Sequence, residues 1–180
     1  MSDFASFKIG PNQIKLQPLN ENHLDLFKII QHDRKSLSKF QPGTNTLKTK
    51  ADALNFLKQV QIKTKQEKLL WLTILKNEKV VGEIVIHHID HQDKNAKIGY
   101  FLSSQAQGNG IMTNTVKVLV KKAFSKLHLH KISLEIAAGN KKSLAIPQRL
   151  GFIYEATLKE QMLISGKYQD EIIYSAFNQK

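Results

Sequence analysis

Cysteine is absent from the 180 residues, which excludes a disulfide framework, thiolate metal sites and a cysteine nucleophile. Proline is scarce, at 4 residues, and tryptophan scarcer, at 1. No Pro-, Gly- or Ser-rich linker divides the chain, so one domain over residues 1–180 is expected. No apolar run approaches the roughly 20 residues of a membrane span, and the opening MSDFASFKIG lacks the apolar region of a signal peptide. A soluble, cytoplasmic protein without a membrane partner is expected. Acidic residues are the minority, with 15 Asp plus Glu against 27 Lys plus Arg and a formal charge of +12. Most of the excess is lysine scattered through polar stretches such as Lys63-Thr64-Lys65-Gln66-Glu67-Lys68, the pattern of a solvated surface. Such a surface attracts an anionic cofactor, an acidic protein or RNA, and repels a polycation such as a polyamine at a distance.

Periodicity divides the chain into strands and helices. Gln13 to Leu19 reads as a first strand, and Leu24, Phe27 and Ile30 mark the buried side of a helix running toward Leu37, with Gln41-Pro42-Gly43 ending the region. Ala53, Leu54, Leu57 and Val60 suggest a second helix that fades between Lys63 and Lys68. Leu69 to Leu75, Lys79 to Ile89 and Ala96 to Leu102 read as an antiparallel meander turning at Asn77-Glu78 and at Gln92-Asp93-Lys94-Asn95. The middle strand is mostly apolar on both faces, which places it centrally. A helix over Gly110 to Leu127, a strand over Ile132 to Ile136 and a short helix from Lys141 follow. Two strands near Phe152 to Ile164 and Tyr168 to Phe177, joined through Ser165-Gly166-Lys167, close the chain. The order predicts a mixed α/β fold with a right-handed strand-helix-strand crossover.

The segment from Lys97 to Phe152 carries the chemistry. A strand ending at Leu102 and Ser103 leads through Gln105-Ala106-Gln107-Gly108-Asn109-Gly110 into a helix whose apolar stripe is Met112, Val116, Leu119 and Ala123. Glycines at such a turn adopt backbone conformations closed to other residues and leave no side chain in the way. The N–H groups of the first helical turn, from Ile111 and Met112 onward, then favour phosphate oxygens. An ordinary strand-to-helix turn would share these features, so the surroundings decide. Gln105 to Gly110 fits Q/R-x-x-G-x-G/A, and further on stand Asn140-Lys141-Lys142-Ser143 and Pro147-Gln148-Arg149-Leu150-Gly151-Phe152. Together these resemble the GNAT N-acetyltransferase superfamily, in particular its ribosomal-protein N-terminal serine/alanine acetyltransferase branch, over roughly Val80 to Phe177.

The resemblance implies a GNAT-type mixed, mostly antiparallel central sheet flanked by helices, with an acetyl-CoA site at the strand-loop-helix around residues 101–113. It implies acetyl-CoA as acetyl donor, with Leu102, Ser103, Gln107, Gly108, Asn109, Gly110, Ile111, Met112, Asn140 and Ser143 as its contacts. Asn140 would hydrogen-bond the pantetheine arm and Ser143 would sit near the sulfur as proton donor. Read without the family, Asn140 is equally a helix N-cap and Ser143 a first-turn serine. Pro147 lacks the N–H that would bond back to the Ser143 carbonyl, so the helix is opened there. The resemblance further implies a homodimer, and helices in the first third of the chain that flank the acceptor.

The general base is less defined. Where relatives often read A-E-I-G-Y, this chain has Ala96-Lys97-Ile98-Gly99-Tyr100, and some members carry glutamate at the place of Met162. Glu160, two residues from Met162 and so expected on the same strand face, is placed slightly ahead of Glu83 on the central strand. Either could equally be a carboxylate without a catalytic part. The expected acceptor is a primary amine, with a protein N-terminus favoured and a ribosomal protein among the candidates. An α-amine of pKa about 7.7–8.0 is roughly a quarter to two fifths neutral near pH 7.5, whereas lysine is about a thousandth neutral. The alternatives are a small-molecule amine or polyamine acetyltransferase, and a GNAT-fold protein that senses acetyl-CoA or joins a ribosomal or RNA complex without turnover. No metal is expected: His87, His88, Asp90 and His91 lie on a strand whose neighbours should face opposite sides, and no cysteine completes a zinc set. Trp71, Tyr100 and Tyr168 read as core or groove walls, and Tyr168-Gln169-Asp170 as a structural feature of the last hairpin.

Overall fold

A computed structural model describes residues 3–37, 39–40, 46–164 and 166–179. Strands β1 (Ala5–Ile9) and β2 (Asn12–Pro18) form an antiparallel hairpin about Gly10, which takes a φ of +54°. The short first strand precedes the one expected from sequence. Its alternation covers five residues of which only Ala5 is buried, too brief a signal for periodicity to register. Helices α1 (Asp25–His32) and α2 (Arg34–Leu37) replace the single helix expected toward Leu37, with the break at Asp33. The proposed stop at Gln41-Pro42-Gly43 lies outside the described residues. Helix α3 (Lys50–Lys65) opens on a capping box in which the Thr49 side chain accepts from the Asp52 N–H and the Asp52 carboxylate accepts from the Thr49 N–H.

Strands β3 (Leu69–Lys76), β4 (Lys79–Asp90) and β5 (Asn95–Leu102) follow, and β3 meets β4 through Asn77 and Glu78. Both turn residues have positive φ, 48° and 67°, as a two-residue hairpin that follows the strand twist requires. Helix α4 (Ile111–Lys126), strand β6 (Lys131–Ala137), helix α5 (Lys141–Arg149) and strands β7 (Ile153–Ile164) and β8 (Lys167–Phe177) complete the order. The eight strands lie in the sheet order β1-β2-β3-β4-β5-β6-β8-β7. β5 and β6 are parallel, and the return that a parallel pair needs is supplied by α4. β6 with β8 and β7 with β8 are antiparallel. The mixed, mostly antiparallel sheet with helices is the fold class expected from sequence.

The chain forms two compact units, Met1–Ile86 with Tyr100–Met112 and His87–Gly99 with Thr113–Lys180. In the first, Leu26 and Ile30 of α1, Leu57 and Val60 of α3 and Phe101 of β5 share one buried cluster, with Trp71 and Val80 packed against it. Burial of these apolar faces, at about 25 cal/mol per Å², is what holds the helices beside the strands. In the second, Val116, Leu119 and Ala123 of α4 and Ile132 and Leu134 of β6 are at most 1% exposed. The α4 stripe read from sequence is therefore the buried face of that helix. Among the described residues no helix is long and apolar enough to cross a membrane.

Candidate active site

The glycine turn is built at the end of β5. The Ser103 N–H donates to the Val81 carbonyl at 2.8 Å, which carries the ladder one residue past the strand. Ser104–Ala106 make a single 3-10 turn, and the Gln107 side-chain amide donates back to the Leu102 carbonyl at 3.0 Å, folding the loop onto the strand end. Gly108 and Gly110 then take φ of +84° and +70°. A Cβ added at Gly108 would meet nothing within 4 Å, so glycine there serves the backbone conformation and leaves the approach open. Gly108, Asn109 and Gly110 are exposed, while Ile111 and Met112 are buried and fix the first turn of α4. Helix N-terminal N–H groups without intrahelical acceptors thus adjoin an exposed glycine turn, an arrangement that suits the pyrophosphate of a coenzyme.

Two residues that sequence reading passed over shape this loop. Asp33, at the α1–α2 break, is 9% exposed, and its carboxylate accepts from the Ser104 N–H at 2.7 Å and the Ser104 hydroxyl at 2.8 Å. The contact spans 71 positions and has no local signature. Gly82 lets β4 and β5 approach, because a Cβ there would lie 2.3 Å from the Phe101 carbonyl oxygen. A glycine inside a strand pattern is the signal that could have found it.

Beside Gly82, Glu83 is 9% exposed, and its Oε2 accepts from the Trp71 indole N–H at 2.8 Å. Phe56 meets the Trp71 ring edge-on, with centroids 4.8 Å apart. Burial pushes the Glu83 carboxyl up to about 8, against the indole hydrogen bond, which favours the anion. A group poised there can exchange a proton near neutral pH.

Asn140 caps α5: its Oδ1 accepts from the Ser143 N–H at 3.2 Å and its backbone carbonyl from the Leu144 N–H at 3.0 Å. The cap uses the amide oxygen and leaves the Nδ2 group as a donor. Asn140 is therefore the N-cap that sequence alone allowed, and its geometry retains the donor that the resemblance assigned to pantetheine. Pro147 lies inside α5, where the Ser143 carbonyl has no N–H four residues on. The end of that helix explains the Leu150-Gly151-Phe152 motif. Gly151 takes φ +70°, the Phe152 N–H reaches the Pro147 carbonyl at 3.0 Å and the Gly151 N–H the Gln148 carbonyl at 3.3 Å, which is a Schellman stop.

The alternation argument for Glu160 does not survive the fold. β7 pairs Leu158 with Glu171 and Met162 with Gln169, so two extra residues bulge out between them, and Glu160 takes φ +51°. Strict period-two facing is lost at that point. Glu160 is exposed, and its N–H donates to Asp170 Oδ1 at 3.1 Å while Lys159 pairs with Oδ2 at 2.8 Å. Asp170 of the Tyr168-Gln169-Asp170 motif thus fastens the bulge. The same correction applies to His87 and His88: a φ of +50° at His88 brings their Nδ1 atoms to 2.6 Å. Burial, then neighbouring His88, holds His87 down at about 4. Lys97 pairs with Glu135 of β6 at 2.5 Å.

The acetyltransferase (GNAT) domain family matches residues 13–153 of this chain. The ribosomal-protein-serine acetyltransferase of Escherichia coli (strain K12) is 28% identical over 102 residues, 57% of each chain. The spermidine N(1)-acetyltransferase of the same strain is 30% identical over 91 residues, 51% of this chain and 49% of the relative. The chain thus matches about half the length of these curated relatives. Among solved structures, the microcin C7 self immunity acetyltransferase MccE in complex with acetyl-CoA and AMP is 29% identical, with a TM-score of 0.86 over 92% of both chains. The RimL ribosomal L7/L12 α-N-protein acetyltransferase in complex with coenzyme A shares the fold at 18% identity, with a TM-score of 0.90 over 96% of this chain and 98% of the other. From the matched domain, the sheet order and the glycine turn at the head of α4, the chain belongs to the GNAT acetyltransferase family.

Proposed function

We propose that the protein is an acetyl-CoA-dependent N-acetyltransferase that modifies a primary amine, with a protein N-terminal α-amine, including that of a ribosomal protein, as the favoured acceptor. The observation that carries this reading is the open glycine turn, with φ of +84° at Gly108 and +70° at Gly110, feeding the first turn of α4. When bound, acetyl-CoA supplies the acetyl thioester. Leu102 and Ser103 at the end of β5 line the pantetheine path. The backbone from Gln107 through Asn109 to Met112 would receive the pyrophosphate, and the resemblance assigns Asn140 a hydrogen bond to the pantetheine arm. Ser143 would relay a proton from solvent to the departing sulfur, or steady the thiolate by a hydrogen bond, and so end the step with its own hydroxyl intact. Glu83 takes the proton of the attacking amine, directly or through a water, a role that its raised pKa suits. Glu160, being exposed on a bulge, is the less favoured candidate for that role. Without a thiol in the chain, transfer by direct attack in a ternary complex is the simplest course.

The spermidine acetyltransferase among the relatives supports a polyamine as the second reading, and the +12 charge weighs against it. Incubation with acetyl-CoA and a panel of N-terminal peptides, ribosomal proteins, internal-lysine peptides and spermidine, with thiol release and product mass recorded, separates the readings. Acceptor-dependent acetylation of α-amines is the expected result. Faster turnover of spermidine or of internal lysine would replace the favoured acceptor. Tight binding of acetyl-CoA with no product on any acceptor would favour a sensor. Ser143→Ala should lower kcat about tenfold while leaving coenzyme A affinity within about twofold. A parallel loss of coenzyme A affinity would make Ser143 a binding residue.

A further inference from the structure

We infer that Asp33 is a positioning residue that sets the shape of the cofactor loop from the helical layer, an inference that rests on the functional reading above. The main chain of Asp33 is fixed from both sides: its N–H donates to Ile29 of α1 at 2.9 Å, and its carbonyl accepts from Leu37 of α2 at 2.9 Å. A residue held in this way projects its side chain from a defined point. Both carboxylate oxygens are then spent on a single partner, Ser104, through the N–H at 2.7 Å and the hydroxyl at 2.8 Å. Ser104 opens the turn Ser104–Ala106 that delivers Gln107, Gly108 and Gly110.

Turns rich in glycine are entropically expensive to hold, and an exposed loop of this kind relies on its ends. One end is the buried first turn of α4. At the other, the Ser103 ladder bond and the Asp33 pair together fix position and direction. A carboxylate 9% exposed and doubly hydrogen-bonded is well suited to do so, since loss of either acceptor strands a polar group in a half-buried setting. Asp33 touches neither the coenzyme nor the reacting atoms in this scheme, and acts through Ser104 alone. Helices α1 and α2 belong to the region expected to flank the acceptor. The same bonds therefore tie the cofactor loop to that region.

The test uses the full chain and the variants Asp33→Ala, Asp33→Asn and Ser104→Ala. Coenzyme A binding is measured by titration calorimetry, Ser104 amide exchange by NMR, and the acetyl-CoA KM against kcat on the best acceptor. Asp33→Ala should weaken coenzyme A binding about tenfold, expose the Ser104 amide to exchange, and raise KM more than it lowers kcat. Ser104→Ala keeps the N–H bond and should weaken binding about threefold. Asp33→Asn retains one acceptor and should fall between them. A merely structural role would lower the melting temperature and leave coenzyme A affinity and the KM-to-kcat split unchanged. Unaltered affinity in Asp33→Asn and Ser104→Ala overturns the inference, even where Asp33→Ala fails to fold. Failure of the unaltered chain to bind coenzyme A would instead sink the functional reading, and the loop role of Asp33 with it.

Discussion

A carboxyl group at 9% exposure, facing an indole N–H, keeps its proton to about pH 8, and this makes Glu83 visible to experiment in two ways. Below its ordinary value of 4.5 it is protonated in both folded and unfolded chains. As pH rises from there through about 8, the unfolded chain releases a proton that the folded chain retains, so stability falls across that window. Glu83→Gln should flatten this limb in melting temperatures recorded against pH, and an unchanged slope would mean that the carboxyl is not raised. In catalysis the same variant should lower kcat/KM by about a hundredfold. The α-amine acceptor titrates in the same range, so the profile alone does not separate the two groups. Glu83→Gln should remove the enzyme's contribution and leave that of the acceptor. His87 acts with the opposite sign. Held at about 4, it stays neutral while the unfolded chain protonates below 6.5, so stability is lost as pH falls from 6.5 toward 4. His87→Asn should flatten that acid limb in the same melting series.

Elements meet at two glycines whose costs differ in kind. At Gly82 an added Cβ would sit 2.3 Å from the Phe101 carbonyl oxygen, so Gly82→Ala must push β4 from the end of β5. Such overpacking should cost roughly 1–3 kcal/mol and several degrees of melting temperature. Because Val81 accepts the Ser103 N–H beside it, coenzyme A affinity should fall as well. At Gly151 a Cβ would meet nothing within 4 Å, and the cost of Gly151→Ala is the φ of +70° alone, about 1 kcal/mol, with coenzyme A affinity intact. Denaturant unfolding combined with coenzyme A titration of the two variants checks the distinction. Equal behaviour would mean that the close approach at Gly82 does not shape the loop. The positive-φ strand residues teach the converse. Alternation placed Glu160 with Met162 and set His87 opposite His88, and in each case a residue with positive φ broke the period.

For the whole molecule, the excess of 27 basic over 15 acidic residues predicts an acetyl-CoA KM that rises with ionic strength. Raising salt from about 0.1 M to about 1 M shortens the screening length from roughly 10 Å to 3 Å. That KM should then rise several-fold, and the KM of an acidic acceptor should rise further than that of a neutral one. A flat response would make the charge a solubility feature only. Sequence by itself determined the strands from β2 onward, the helices from α3 onward, the buried stripe of α4, the glycine turn and the family, and it allowed the N-cap at Asn140. Each of these is local: a periodicity, a turn residue or a motif acts within a few positions of itself, so its physics is written along the chain. Tertiary structure alone decided that Asp33 holds Ser104 across 71 positions, that Gly82 answers to Phe101, that Glu83 is buried against Trp71, and that a bulge at Glu160 and a positive φ at His88 break the expected alternation. Desolvation, close approach and strand register depend on which distant segments come together, and no window of the sequence contains both partners.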